Sequence, residues 1–340
     1  MLTTEQEGEL YSYFMNSRVA VLGAAGMVGS SLWPKLEKYG ASVVLVANDV
    51  TAEDNERYFD ADSFFHSSDI NGMFKGKYDT DIVFNCAGHV GGAATILNDP
   101  STLIHDNLRI SSEYIQEAVK AKVGKFVYIS SSYVYPDTDA PALEYQAFRG
   151  NPPDVHYGLG WIKRYFETLC IHHHRTSSTD FVVVRPTNIY GPWDNFNLAN
   201  CHVVPALIRK CLEADGTLEV WGNGDEVRNF TYVDDFTDGL LVATMKRDIP
   251  EGINLCYPEG RNIRTLVKTI NEIVADIFWT NYHEIVFNLD KPQVASKRLA
   301  NPVLFKELHG YECQTDLRDG LRQTILWYIK AKLNGTKFRD

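Results

Sequence analysis

Through the first half of the chain, short apolar runs rich in β-branched residues alternate with longer stretches of helical period. Residues 18–23 (RVAVLG), 42–49 (SVVLVAND), 81–88 (DIVFNCAG), 125–132 (KFVYISSS) and 181–186 (FVVVRP) each read as a buried strand. Helical stretches fall between most of them, among them 27–40 (MVGSSLWPKLEKYG) and Ser101–Lys122, which is rich in Ala, Leu, Glu and Lys. Strands that regularly alternate with helices form a parallel sheet, because each crossover helix must cover one of its faces. After Pro186 the pattern becomes irregular, with Pro, Asn, Trp and Gly at 191–202 (GPWDNFNLANCH) and 221–230 (WGNGDEVRNF). We read this part as a smaller α/β lobe that caps a substrate. The chain is expected to return to the large sheet near residues 229–258. The domains then run over 17–187 plus about 229–258 for the sheet, and about 188–228 plus 259–335 for the lobe. Residues 1–16 form an N-terminal extension.

Composition narrows the partners. Of the 340 residues 44% are hydrophobic, which is ample for one large core or two joined lobes, and 23% are charged, which argues against disorder. The formal net charge of −11 repels nucleic acid and anionic membranes, so any anionic ligand must meet a local basic pocket. Apolar runs such as Phe181–Val184 and Val203–Leu207 are too short to span a bilayer, and the acidic N-terminus is unlike a signal peptide. Six cysteines, at 86, 170, 201, 211, 256 and 313, form no CxxC, so reduced thiols and a cytoplasmic location are expected. No metal site is expected. His172–His174 is the one metal-like cluster, and consecutive helical residues diverge, so a solvated helix face is the better reading.

The clearest chemistry follows the first strand. In Gly23-Ala24-Ala25-Gly26-Met27-Val28-Gly29, a glycine-rich turn opens a helix. Glycines permit a tight turn, close approach of a pyrophosphate and close helix–strand packing, and the helix N-terminus faces the phosphates. This context defines a dinucleotide-binding, Rossmann-type doubly wound sheet. Asp49, at the end of the second strand, is placed to accept the ribose hydroxyls of NAD and to repel the extra phosphate of NADP; a plain turn acid is the alternative. The cofactor is therefore NAD(H) or NADP(H), with NAD(H) favoured. Asp69 and Ile70 suit the adenine edge, and the small residues Ala87 and Gly88 let the cofactor lie against the backbone. Asn107, Pro186 and Asn188 complete the expected cofactor contacts.

The motifs SSSYVYP, YGLGW, RPTNIYGP and RNFTYVDD together resemble the extended short-chain dehydrogenases/reductases, the NAD-dependent epimerase/dehydratase family that acts on nucleotide sugars. NCAGHVGGAATI, PTNIYGPWDNFNLANCHVVPAL and NLDKPQVASKRL are more specific. They are similar to the GDP-L-fucose synthase family, NADPH-dependent 3,5-epimerases and 4-reductases, from about Arg18 to Trp327. The resemblance implies that Ser131 hydrogen-bonds a sugar carbonyl, that Tyr157 protonates its oxygen and that His202 is the acid of an epimerisation. A hydroxyl pair flanking a carbonyl stabilises a developing alkoxide, and an imidazole titrates near neutral pH.

Two departures stand out. Where the family has a cysteine as epimerisation base, this chain has Tyr133. A phenol, which ionises near pH ~10, is a poor base at neutral pH. Cys86 and Cys201 are the possible substitutes, with buried packing as their plainer role. The family also places a lysine four residues after the tyrosine, one turn on along a helix. Here that position is Trp161, and Lys163 is the nearest lysine. A helix bulge, or a loose start at Gly158 and Gly160, would bring Lys163 back into register.

By the same resemblance Asn188, His202, Val203, Lys210, Trp221, Arg228 and Lys291 line a nucleotide-diphosphate site, where cations answer the phosphates and Trp221 offers a stacking face. The expected activity is reduction of the 4-keto group of a GDP-linked deoxy or heptose sugar, with 5- or 3,5-epimerisation through His202. An epimerase or dehydratase that recycles bound NAD, and a non-catalytic binding protein, are the alternatives. A homodimer is expected, built on helices 101–122 and 156–174.

Overall fold

The computed structural model describes residues 2–47, 64–66, 74, 79–246, 251–291 and 297–335. The chain opens with helix α1 (Thr4–Phe14), followed by β1 (Arg18–Leu22), α2 (Met27–Lys38), β2 (Ser42–Ala47), β3 (Phe64–His66) and β4 (Ile82–Asn85). Then come α3 (Ala93–Asn98), α4 (Pro100–Ala121), β5 (Lys125–Ile129), α5 (Tyr157–Thr176) and β6 (Asp180–Pro186). The later elements are β7 (Asn188–Tyr190), α6 (Val203–Glu213), β8 (Thr217–Trp221), β9 (Val227–Tyr232), α7 (Val233–Thr244), β10 (Ile253–Leu255), β11 (Gly260–Asn262), α8 (Ile263–Phe278), β12 (Glu284–Asn288), β13 (Lys297–Arg298), α9 (Val303–His309) and α10 (Leu317–Leu333).

Seven parallel strands form the large sheet in the order β10-β6-β5-β4-β1-β2-β3. Its faces follow from the period of two along each strand. Val19 and Val21 of β1 join Val43, Phe84, Val127 and Val182 beneath α1, α2 and α7. Ala20 and Leu22 join Val44, Val83, Phe126 and Val183 beneath α4 and α5. Both faces are covered, as a parallel sheet requires. The strand order reverses between β1 and β4, which opens a crevice at their carboxyl ends.

The extension at residues 1–16 is an integral layer: Leu10 and Phe14 of α1 are fully buried in the first of these cores. A capping box at Thr3 starts that helix. One expectation needs correction. Residues 229–232 do not join the large sheet; they lie in β9, which pairs with β7, β11 and β13. The return is made by α7 and β10 instead. The lobe has a core of its own, with Leu207, Ile208, Leu266, Ile270, Leu321 and Ile325 from α6, α8 and α10.

Polar contacts seat the returning segment. Lys35 of α2 donates to Asp238, Thr237 and the Asp234 carbonyl of α7. Asp235 accepts from the backbone of Gln314 and Thr315 and from the Thr315 hydroxyl. The histidine run at the end of α5 is less exposed than expected, since His173 stacks on Phe181 and His174 Nδ1 accepts from the Phe181 N–H. No helix among the described residues is long and apolar enough to cross a membrane.

Candidate active site

At the switch point the backbone leaves room only for glycine. Gly23 has φ +73°, and a Cβ on it would stand 2.7 Å from Ala87. A Cβ on Gly29 would stand 2.4 Å from the Gly23 carbonyl oxygen. Gly26 is the N-cap of α2 and offers no capping side chain, so the first-turn N–H groups, with Met27 and Val28 beside them, are open to an anion. Across the crevice, a Cβ on Gly88 would lie 3.1 Å from Asn107 Oδ1. Asn107 is buried and clamps this loop, accepting from the His89 N–H and donating to the His89 and Leu103 carbonyls. These residues fit a dinucleotide: a cradle without side chains, facing a helix N-terminus. Asp49, Asp69 and Ile70 lie outside the described residues.

The residues that the resemblance assigns to the reaction, Ser131 and Lys163, stand near the ends of β5 and β6. Ser131 Oγ accepts from the Tyr133 N–H at 3.2 Å, which aims its hydroxyl out of the turn after β5. Lys163 Nζ donates to the Ile129 carbonyl at 2.9 Å and lies over the Tyr128 ring. Burial holds this ammonium down at about 8, against an opposing pull from Glu167. One turn further along α5, Glu167 accepts from Ser130 Oγ and pairs with Arg185 of β6. Pro186 closes β6 and Asn188 opens β7.

Helix α5 begins at Tyr157 and is α-helical without a bulge. Tyr157 and Lys163, six residues apart in this chain, therefore point about 120° apart around the axis. The structure does not bring these two together, because the bulge needed to re-register them is absent. Tyr157 is instead edge-on to Trp161 and half exposed. One turn before Lys163 the helix holds Leu159, and His156 is the N-cap that precedes the helix.

His156 is almost wholly buried, and its ring stacks on Tyr133 with centroids 4.2 Å apart. Arg298 of β13 points one guanidinium nitrogen at His156 Nε2 (3.1 Å) and another at Asn188 Oδ1 (3.0 Å). A guanidinium only donates, so His156 Nε2 accepts and the ring proton is on Nδ1. Burial first, then the charges of Arg298 and Arg228, push the His156 imidazole down to about 3. The Arg298 guanidinium carbon also lies 4.6 Å from the Tyr133 ring centroid. Arg298 Nε is buried with no hydrogen-bond partner among the described residues. Neither His156 nor Arg298 was singled out from sequence. The only local signals were the SKRL tail and the position just before YGLGW.

A second group lies towards the lobe. His202 is the N-cap of α6, with Val203 as the first residue of the helix, and His202 Nδ1 is 4.0 Å from Asp194 Oδ1. Asp194 is nearly buried and its Oδ2 has no hydrogen-bond partner among the described residues. It stands in the GPWDNF segment and also went unnoticed. The two thiols considered as substitute bases are unsuited to that role: burial pushes Cys86 up to about 12, and burial with Asp194 nearby pushes Cys201 up to about 11. Further out, the ammonium groups of Lys210 and Lys291 lie 5.2 and 5.4 Å from the centroid of Trp221. Arg228 is buried beside Arg298. Its guanidinium is lowered to about 10 by burial and by that neighbouring charge.

A parallel sheet with a side-chain-free cradle at its switch point, and a polar site roofed by a second lobe, defines a dinucleotide-dependent enzyme of Rossmann type. Residues 19–256 match the model of the NAD dependent epimerase/dehydratase family, and the chain belongs to that family as an NAD(P)-dependent enzyme. It is 29% identical to GDP-L-fucose synthase of Escherichia coli (strain K12) over 340 residues, covering 95% of this chain and 98% of that one. It is 30% identical to GDP-mannose 3,5-epimerase 1 of Oryza sativa subsp. indica over 345 residues, covering 98% and 87%. Among solved structures, a GDP-L-fucose synthetase from Naegleria fowleri shares the fold with a TM-score of 0.77 at 24% identity, covering 94% and 96%, and is also known bound to NADP.

Proposed function

We propose that the chain reduces the 4-keto group of a GDP-linked deoxy or heptose sugar with NAD(P)H, and that 5- or 3,5-epimerisation accompanies it through His202. The observation that carries this reading is that one chain combines the dinucleotide cradle with an aromatic face, Trp221, flanked by two ammonium groups. A purine diphosphate asks for that combination of stacking and charge. The relatives named above carry GDP sugars in their names, which supports a GDP-linked substrate.

When bound, the dinucleotide supplies the hydride. The protein does the rest. The Ser131 hydroxyl donates to the sugar carbonyl and stabilises the charge that develops there. Lys163, held by the Ile129 carbonyl, has N–H groups left to hold the nicotinamide ribose. His202, with Asp194 behind it, exchanges a proton with the sugar ring. Gly23, Gly26 and Gly29 let the pyrophosphate meet α2, and Asp49 in this reading favours NAD(H) over NADP(H). We place the protein in the cytoplasm, in keeping with its free cysteines, and as a homodimer through α4 and α5, whose Trp161 and Tyr165 are exposed in the single chain.

Incubation with GDP-4-keto-6-deoxymannose in deuterated water, with NADH and NADPH separately and NMR of the product, tests the reading. Reduction with deuterium at carbons 3 and 5 is the expected result, and no reduction with either cofactor overturns it. Turnover without net use of cofactor would point to an epimerase that recycles bound NAD.

A further inference from the structure

On helix α5, the position one turn before Lys163 holds Leu159, a side chain that neither gives nor takes a proton. Tyr157, two residues earlier, points about 160° away from that position. It lines a hollow with Ile96, Pro100 and Ile104, which Leu159 and His156 also border, and its ring is half exposed there. The phenol that stands against the start of this helix comes from another element. Tyr133, in the turn after β5, stacks on His156, and its carbonyl fills the space left by the missing side chain of Gly160, where a Cβ would stand 2.4 Å away. It follows Ser131 by two residues and is joined to it by the N–H to Oγ bond.

We propose that Tyr133, and not the tyrosine of helix α5, is the catalytic residue that protonates the sugar oxygen, with His156 and Arg298 as its positioning residues. The inference rests on the ketoreductase reading and names a residue of that same site. Hydride brings two electrons to carbon 4 from the reduced nicotinamide. The carbonyl π pair becomes an O–H bond by taking the proton of Tyr133 Oη, and water later reprotonates the phenolate. The surroundings suit that phenolate. Arg298 lies over the Tyr133 ring, and among the described residues its partners are the neutral His156 and Asn188, so no carboxylate neutralises it. Arg228, whose charge is partly answered by Glu226, is also close enough to act on the same ring. The neutral imidazole of His156 holds the ring in place and withdraws none of that charge. In this arrangement the acid has moved from the helix to the loop, and Gly160 provides the room.

The test uses the full chain labelled with tyrosine carrying carbon-13 at Cζ, titrated with GDP-mannose and NADP⁺ and followed by NMR. Tyr133→Phe and Tyr157→Phe assign the two resonances by their loss, and melting curves show that each variant folds. The Tyr133 resonance is expected to shift on forming the ternary complex, by more than that of Tyr157. A stationary Tyr133 resonance overturns the inference whether or not the protein turns over. With the 4-keto sugar, Tyr133→Phe is expected to lose on the order of 100-fold more in kcat than Tyr157→Phe, with KM little changed. Adding Leu159→Tyr to Tyr133→Phe restores part of the loss by returning a phenol to the helix. The reverse order of losses overturns the inference. A wild type that makes no product sinks the ketoreductase reading separately, and the resonance shift still decides where the phenol stands.

Discussion

Glu167 and Arg185 form a two-point ion pair inside the protein, with Nε to Oε1 at 2.9 Å and Nη2 to Oε2 at 2.7 Å. Neither side chain has more than a trace of exposed surface. The pair joins α5 to β6, and Ser130 Oγ, 2.5 Å from Glu167, adds the end of β5. Ser131 and Lys163 therefore stand on a frame tied together by one buried carboxylate. Removing it leaves a guanidinium buried without its counter-ion. Glu167→Ala is expected to cost about 3–5 kcal/mol of stability, read from urea unfolding. Unchanged stability would mean that Arg185 finds another partner.

The cradle offers a test that is independent of the sugar. At Gly29 an added methyl group meets the Gly23 carbonyl oxygen at 2.4 Å and Ala24 Cα at 2.7 Å. Gly29→Ala must push the start of α2 away from the loop, at a cost of about 1–3 kcal/mol. Calorimetry is expected to show dinucleotide affinity weakened at least about tenfold, with GDP affinity nearly intact. Equal losses for both ligands would count against a cradle specific to the dinucleotide.

Trp221 with its two lysines makes a prediction about phosphate number. Lys210→Ala and Lys291→Ala each remove one ammonium group next to the indole. Each is expected to weaken GDP about tenfold, the value of a charge-assisted contact, and guanosine much less. The difference should shrink in high salt. Equal effects on guanosine and GDP would place the diphosphate elsewhere.

His309 sets an acid limit. It is buried, and neither ring nitrogen has a hydrogen-bond partner among the described residues. Burial first, then the charge of Lys246, lowers its imidazole to about 4. The folded state therefore resists the proton that the unfolded chain accepts below its ordinary value near 6.5. The stability conferred by the neutral ring is fully present above pH ~6.5 and is lost as pH falls towards ~4, by about 2 kcal/mol at pH ~5. His309→Leu is expected to raise the melting temperature at pH 5 more than at pH 7.5. An equal change at both values would show that the ring takes no part in the acid sensitivity.

Much of this protein was legible because it is written locally. Five of the seven strands of the large sheet announce themselves by β-branched runs, while β3 and β10, of three residues each, do not, and the glycine turn shows in residues whose missing side chains have a backbone meaning wherever they occur. The displacement of lysine from the tyrosine motif could also be counted along the chain. Its consequence could not, since a bulge in α5 and a regular helix give opposite answers. The pairing of β9 was misjudged for a related reason. A short strand carries its own propensity but says little about which of two sheets will accept it.

What the sequence by itself determined was the class: a parallel, doubly wound sheet with a dinucleotide loop, because periodicity and turn chemistry act over a few neighbouring residues. What only the tertiary structure decided was which side chains meet beside the candidate site. Tyr133, His156 and Arg298 come from a turn, a helix start and a late strand. Arg298 is 142 positions from the histidine it contacts. Contacts at that separation depend on how the lobe closes over the sheet, and each residue alone would pass for ordinary packing. Burial gives them their chemistry, because a guanidinium answered among the described residues only by neutral groups keeps its charge for an anion beside it.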